Sequence, residues 1–246
     1  MDFLVAIQLL TSIPVRVNRE IGPDRLGRAT AWFPLVGLGI GLLLAGLYWV
    51  LDLVLPPAMT SAIVLAVLVG LTGGIHLDGL ADTCDGMAGY RPVEERWKIM
   101  HDSRTGAFGV VGIVLVLLGK WAALGSVPPQ YVYGALVLMP VVSRWAMVYA
   151  IYTFDYAHAE GLGAAYKRAT KLRQYVIATV GALVIAGALI PWLSWVGFAA
   201  VGGALLVTTI VAFYLKSKFK GLTGDTYGAI NELAEIAALA MIIIIF

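Results

Sequence analysis

The sequence contains 246 residues, of which 60% are hydrophobic and only 13% are charged, with a net charge of +2. Soluble domains are roughly half apolar and about a quarter charged, so a soluble globule of this size is excluded. The apolar runs are too long and too uniform for barrel strands, and a balanced charge without basic runs gives no indication of a nucleic-acid partner. We therefore predict an all-α, polytopic bundle whose partner is the lipid bilayer.

The first apolar stretch, Phe3 to Ile13, is too short for a helix that must cross about 30 Å of hydrocarbon. Asp2 stands where a signal peptide carries positive charge, so we expect a short interfacial or re-entrant helix. Seven later segments are long enough to span: Ala31–Val54, Met59–Ile75, Ala107–Gly125, Tyr131–Thr153, Tyr175–Pro191, Trp195–Leu215 and Tyr227–Phe246. Because no repeat or low-complexity linker divides the chain, residues 1–246 are interpreted as a single domain.

Charge predicts the orientation of the bundle. The connections alternate between polar segments, at 16–28, 78–106, 154–174 and 216–226, and short uncharged ones, at 55–57, 126–130 and 192–194. The polar segments contain 15 of the 17 Lys and Arg residues, Arg16 and Arg19 among them. By the positive-inside rule these segments are cytoplasmic, and seven spans place the C-terminus outside.

Three aspartates follow the second span. Asp78, Asp82 and Asp85 are spaced i, i+4 and i+7, which places them on one face of a helix. Carboxylates stacked in this way repel one another unless cations neutralise them, and hard oxygen ligands suit Mg²⁺, Mn²⁺ or Ca²⁺. A solvated helix end is the alternative. Acids are scarce in this chain, and ionisable groups at a membrane boundary are costly, so the pattern favours a metal site.

A second polar block precedes the third span. Asp102 is placed to complete a metal shell, while Ser103, Arg104 and the first amides of the following helix are suited to phosphate oxygens. The alternative is a capped helix start, with Ser103 or Thr105 as the cap and Arg104 as an ordinary positive-inside charge.

A third block opens the last span. Asp225 begins the predicted helix, and Asn231, Glu232 and Glu235 follow within the hydrocarbon, where a carboxylate needs a partner or a cavity. Lys120 and Arg144 are the other ionisable residues placed in spans. A structural ion pair between helices is therefore the alternative to a functional role. His76 is equally suited to orienting an aspartate, touching a substrate, or packing between helices.

The segments His76–Gly86, Met100–Gly106 and Thr223–Glu232 together closely resemble the signature blocks of the cobalamin synthases, the adenosylcobinamide-GDP ribazoletransferase family. The resemblance covers nearly the whole chain, including Thr11–Pro14 and Phe33–Gly37. His101 departs from the pattern, because Lys or Arg is more usual there. The aspartate spacing also resembles the CDP-alcohol phosphotransferases, but Ala81 is followed by Asp82 where that family has Ala-Arg.

The first resemblance implies a Mg²⁺-dependent enzyme of a bacterial or archaeal inner membrane. It would join adenosylcobinamide-GDP to α-ribazole, or to α-ribazole 5′-phosphate, with release of GMP. Attack on a pyrophosphate needs charge neutralisation and a base, so we predict Asp78, Asp82, Asp85 and Asp102 as metal ligands and Asp82, Asp85 and Asp225 as catalytic. The predicted substrate-binding residues are His76, Ser103, Arg104, Thr223, Asn231 and Glu232.

Two other functions are kept as alternatives. One is a CDP-alcohol-type phosphotransferase of lipid metabolism. The other is a transporter, in which Glu232, Glu235, Lys120 and Arg144 form an ion path. A transporter predicts polar residues on both membrane faces, whereas the acidic residues of this chain concentrate on one face. A homo-oligomer is compatible with the sequence.

Overall fold

The computed structural model describes residues 1–15 and 22–246, so Arg16 and Arg19 lie outside the described residues. Thirteen α-helices make up the regular structure of the described part, with a 3-10 turn at Pro129–Tyr131 before the eighth. They are α1 (Asp2–Leu10), α2 (Pro23–Thr30), α3 (Phe33–Asp52), α4 (Pro57–Thr72), α5 (Ile75–Met87), α6 (Val93–Met100), α7 (Ala107–Ser126), α8 (Val132–Thr153), α9 (Leu162–Ala169), α10 (Leu172–Ala188), α11 (Ile190–Leu193), α12 (Val196–Phe219) and α13 (Gly224–Ile245).

Five helices are long and apolar enough to cross a membrane: α3, α7, α8 with its 3-10 turn, α12 and α13. Two further pairs, α4 with α5 and α9 with α10, are long and apolar enough only when the two helices are taken together. The two helices of each pair are bent relative to one another, by 89° and 88° respectively. The chain is therefore an all-α polytopic membrane bundle with five to seven spans, as predicted.

The second span differs from the prediction at its end. The helix stops at Thr72 rather than Ile75, because Gly73 and Gly74 take left-handed φ angles of 62° and 69°. Left-handed backbone is accessible to glycine at little cost, and two such residues in succession turn the chain sharply. The aspartate row therefore lies on a separate helix, α5, and α4 is the apolar arm of the pair.

The short N-terminal helix is present as α1, with Val5, Ala6 and Leu10 buried. Asp2 accepts a hydrogen bond from Arg28 Nε at 3.0 Å, which ties α1 to α2. The Ser12 hydroxyl donates to the Gly70 carbonyl at 2.8 Å. These contacts hold the N-terminal segment against the end of α4, next to the glycine turn that precedes the aspartates.

Helix α8 forms the centre of the bundle, since 94% of the residues in its apolar 18-residue stretch are buried. Gly37 and Gly41 of α3 lie directly on its backbone, and a Cβ added to them would come within 2.3 Å of the Pro140 carbonyl oxygen and 2.6 Å of the Val137 oxygen. Small residues four apart permit this close helix packing in membranes. The α3–α8 contact thus fixes the scaffold around which the other spans are arranged.

Polar connections meet at one end of the bundle, which we call the charged end (residues 88–106, 154–171 and 216–224). Lys216 Nζ lies 2.7 Å from Asp155 Oδ2, and Lys220 Nζ lies 3.2 Å from Glu94 Oε1. At the opposite end, the Tyr131 and Phe246 rings stack with centroids 3.6 Å apart. The alternation of charged and uncharged connections therefore corresponds to two ends of the structure.

Candidate active site

Glycines on α5 allow it to lie directly on α13 at the charged end. A Cβ added to Gly79 would come within 2.7 Å of the Asp225 carbonyl oxygen, and one on Gly86 within 2.6 Å of the Met100 side chain. This close contact brings Asp225 next to the aspartates of α5, and Asp78 lines the same cavity as Asp225. Asp78 is exposed and Asp82 is half-buried. The helical register predicted for the aspartates is therefore present in the structure.

Four carboxylates influence one another at this end of α5. Burial, together with the neighbouring charges of Asp78, Asp225 and Asp85, raises the pKa of Asp82 to about 6. Asp225 comes from the first turn of α13, so the structure adds a distant carboxylate to the row on α5. A carboxylate whose pKa is raised by like charges is stabilised by any cation placed among them.

Asp85 has a structural partner that the sequence did not predict. Its Oδ2 accepts a hydrogen bond from the Gly106 amide at 2.7 Å and its Oδ1 accepts one from the Gly109 amide at 2.9 Å. These amides belong to the N-cap residue and the first turn of α7, where a carboxylate satisfies free donors and interacts favourably with the helix dipole. Asp85 therefore anchors the start of α7 to α5; its predicted roles as ligand and catalyst stay predictions.

Asp102 and Arg104 form an ion pair beside this anchor. Arg104 donates from Nε to Oδ1 at 3.0 Å and from Nη2 to Oδ2 at 2.8 Å, and these hydrogen bonds lower the pKa of Asp102 to about 2. With Asp85 and Arg91 they line an open depression of about 490 Å³. Ser103 is exposed next to the pair. The second sequence block thus borders the acid row but faces this depression.

Asp78 and Asp225 line a different and more enclosed space of about 510 Å³, which we call the aromatic cavity. Its aromatic wall is made of Phe33, Trp97, His101, Tyr156, His158, Tyr166 and Tyr227, and its aliphatic wall includes Leu9, Leu10, Met147 and Ile151. His76 also lines it and is buried. The acid row thus borders a cavity of the size typical of small-molecule sites.

Glu232 and Glu235 lie in a buried ionic cluster with Lys120 and Arg144, the partners predicted from the sequence. Lys120 Nζ lies 2.6 Å from Glu232 Oε2 and also bonds Glu235, which in turn pairs with Arg144. Asn231 Nδ2 donates to Glu232 Oε1 at 3.3 Å. Two cations and two anions balance within the bundle, and Asn231 and Glu232 lie in this cluster rather than in the wall of the aromatic cavity.

The residues present can be compared with the needs of a magnesium ion. In the described part of the chain, no three His, Cys, Asp or Glu side chains are already grouped around one metal position. Mg²⁺ is commonly held by only one or two carboxylates, with water and substrate phosphates completing its shell. Asp78 and Asp82 supply two hard oxygen donors one helical turn apart, so this pair fits the ion when phosphate supplies further oxygens.

Thr223, one of the predicted substrate-binding residues, has a clear local role. Its hydroxyl accepts a hydrogen bond from the Thr226 amide at 3.2 Å and caps α13.

Tyr156 and His158 are cavity residues that the sequence analysis did not predict. They reach the aromatic cavity because their segment pairs with Leu222, whose carbonyl accepts a hydrogen bond from the Ala157 amide at 2.8 Å. That pairing joins distant segments, and no local pattern indicates it.

Comparison with known proteins then decides the family. The model for the cobalamin-5-phosphate synthases matches residues 2–243. The chain belongs to this family. It is 38% identical to the adenosylcobinamide-GDP ribazoletransferase of Geotalea daltonii, over 99% of this chain and 97% of that protein. It is 35% identical to the protein of that name from Desulforamulus reducens, over 98% and 95%, and 39% identical to that of Ectopseudomonas mendocina, over 96% and 95%. No solved structure matches significantly.

Membership of the family establishes that the chain is a transferase of cobalamin biosynthesis. The resemblance found in the sequence is therefore confirmed, and an enzyme is favoured over a transporter.

Proposed function

We propose that this enzyme transfers the phosphocobinamide group of adenosylcobinamide-GDP to a ribose hydroxyl of α-ribazole or of α-ribazole 5′-phosphate. The names of the relatives support these substrates. The observation that carries the proposal is the position of Asp78 and Asp225, which belong to the crowded acid row and also line the aromatic cavity. Such a position brings phosphate chemistry and an organic acceptor together.

The reaction makes one P–O bond and breaks one. The ribose oxygen attacks the phosphorus nearest the corrinoid, the bond from that phosphorus to the bridging oxygen breaks, and GMP leaves with the electron pair. The hydroxyl proton passes to a carboxylate. We assign this proton acceptor to Asp225, because it lies in the cavity wall beside Asp78.

Asp78 and Asp82 are assigned as the carboxylates that hold Mg²⁺. The ion, when bound, neutralises charge on the pyrophosphate. Arg104, at the neighbouring depression, and the adjacent Ser103 bind phosphate oxygens. Asp102 completes the ligand set only if Arg104 releases it. Asp85 positions α7, while Thr223, Asn231 and Glu232 position α13. His76 contacts the substrate from the cavity wall.

The orientation follows from charge. We assign the charged end to the cytoplasm of a bacterial cell and the enzyme to the inner membrane, with the C-terminus on the opposite side, because basic connections are retained in the cytoplasm. Nucleotide substrates would then reach the acid row directly.

A reconstitution experiment tests the function. Purified protein with adenosylcobinamide-GDP, α-ribazole and Mg²⁺ is expected to release GMP and form adenosylcobalamin in equal amounts, both measured by mass spectrometry. Chelation should stop the reaction and added Mg²⁺ should restore it. The Asp82→Asn variant is expected to lose about 100-fold in rate, because a lost metal ligand removes several kcal/mol of charge stabilisation.

The control is Asp24→Asn, the same exchange at an exposed position on α2. Activity that survives chelation would show the Mg²⁺ assignment to be wrong. Release of CMP from a CDP-alcohol, without GMP release from adenosylcobinamide-GDP, would favour the lipid phosphotransferase instead.

A further inference from the structure

We infer that the aromatic cavity is the binding site of the acceptor nucleoside, with its base in the aromatic and aliphatic part and its ribose beside Asp78 and Asp225. This inference rests on the proposed function.

The size of the aromatic cavity is the first reason for the inference. A cavity of about 510 Å³ lies within the range of roughly 300–1,000 Å³ that encloses small organic ligands. A corrinoid with its amide side chains has several times the atoms of a nucleoside, so it must lie largely outside this cavity.

Charge separates the acceptor from the nucleotide end of the donor. Asp78, Asp225 and Glu160 line the cavity, and no Lys or Arg does so among the described residues. A pyrophosphate would meet three carboxylates here and no Lys or Arg side chain among the described residues. The depression beside the acid row instead contains Arg91 and Arg104. The uncharged base and ribose of the acceptor suit the aromatic cavity, while phosphates suit the acid row with its cation and these arginines.

Four side chains that line the cavity each contain a buried polar atom without a hydrogen-bond partner in the described part of the chain: His76 Nδ1, Trp97 Nε1, His158 Nε2 and Tyr227 Oη. His76 is only 4% exposed and Tyr227 only 3%. Buried polar atoms are normally hydrogen-bonded, and a buried polar atom without a hydrogen bond destabilises the folded protein. Ribose hydroxyls and a ring nitrogen are the groups that a nucleoside offers to such atoms.

The wall also indicates the class of base. Leu10, Phe33 and Ile151 present apolar surface, and Trp97 and His158 present rings whose centroids lie 4.5 Å apart. A benzimidazole-type base has a single free ring nitrogen and a broad apolar face. Guanine has several donors and acceptors on its edge, and the apolar part of the wall at Leu10, Phe33 and Ile151 would leave those that face it unpaired. The cavity therefore favours the acceptor base over the guanine of the donor.

Steady-state kinetics of full-length variants in detergent test this assignment. Tyr227→Phe removes one unpartnered hydroxyl and is expected to raise KM for α-ribazole about fivefold, the equivalent of one hydrogen bond of about 1 kcal/mol. Ile151→Trp fills the cavity and is expected to raise it about 20-fold or more. In both variants, KM for adenosylcobinamide-GDP should stay within about twofold of wild type.

Leu206→Trp is the matched control for bulk, since Leu206 is 62% exposed on α12 and does not line the cavity. It should change neither KM, and thermal unfolding should confirm that all three variants are folded. A raised KM for the donor, or an unchanged KM for α-ribazole in Ile151→Trp, would overturn the inference and leave the proposed function standing. Absence of GMP release by the wild type would overturn both.

Discussion

Asp82 shows the conflict that the acid row creates within the folded protein. Its carboxylate is half-buried and surrounded by the charges of Asp78, Asp225 and Asp85, and its pKa is raised to about 6 from an ordinary value near 3.8. Ionisation of Asp82 therefore costs the folded state more than the unfolded state. A structure that keeps such a group at its surface gains stability when a cation binds there.

Asp82→Asn is predicted to stabilise the metal-free protein at neutral pH. Below about pH 4 the wild-type carboxyl is protonated in both the folded and unfolded states, so the substitution has little effect. As pH rises to about 6 the unfolded state releases the proton first, and the folded wild type loses relative stability. Above that range the variant should be more stable by about 1 kcal/mol, a value reduced for solvent screening.

Thermal unfolding in detergent with a chelator, at pH 4 and at pH 7.5, measures this difference. Asp24→Asn, on the exposed side of α2, is the control and should show no such pH-dependent gain. A variant that is equally destabilised at both pH values would contradict the electrostatic explanation.

At the scale of elements, Asp85 connects α5 to α7. Asp85→Ala removes the acceptor of two amides at the start of α7 and is predicted to destabilise the protein by about 2 kcal/mol, in the upper range for a lost helix cap. Unfolding should be measured with a chelator present. Unchanged stability under those conditions would contradict the role of Asp85 as an anchor of α7.

The buried ionic cluster connects α7, α8 and α13. Lys120→Met leaves Glu232 and Glu235 with Arg144 alone, and an uncompensated buried charge typically costs about 3–5 kcal/mol. A large fall in the midpoint of thermal unfolding is therefore expected. The second substitution Glu232→Gln should recover part of it by restoring charge balance.

Leu118→Met, at an exposed position on the same helix, controls for the new side chain. If Lys120→Met unfolds at the same temperature as Leu118→Met, the cluster contributes nothing to stability.

Some of these features could be predicted from the sequence and others could not, for physical reasons. Lys120, Arg144 and the two glutamates were paired correctly because so few ionisable residues can reach one another inside apolar spans. The end of the second span was wrong, although Gly73 and Gly74 are visible in the sequence, because hydropathy does not register a backbone turn. The cavity residues Tyr156 and His158 depend on the pairing with Leu222, which only the tertiary fold creates.

At the scale of the whole molecule, the two ends of the bundle differ in chemistry, and the acid row lies at the charged one. Charged connections meet at one end, and Tyr131 stacks on the terminal residue Phe246 at the other. An enzyme that uses nucleotides needs its charged end on the side where nucleotides are made. The orientation predicted from the basic residues is thus also the one that the proposed function requires.

Cysteine labelling tests this orientation. In a Cys84→Ser background, Ser126→Cys marks the uncharged end and Ala159→Cys the charged end, and both positions are exposed. In spheroplasts, a membrane-impermeant maleimide is expected to label only Ser126→Cys, and in inverted vesicles only Ala159→Cys, because basic connections stay in the cytoplasm. The reverse pattern would contradict the cytoplasmic assignment alone. Labelling of both positions from one side would contradict the separation of the two ends, since the helix α8 that lies between them would then not span the membrane.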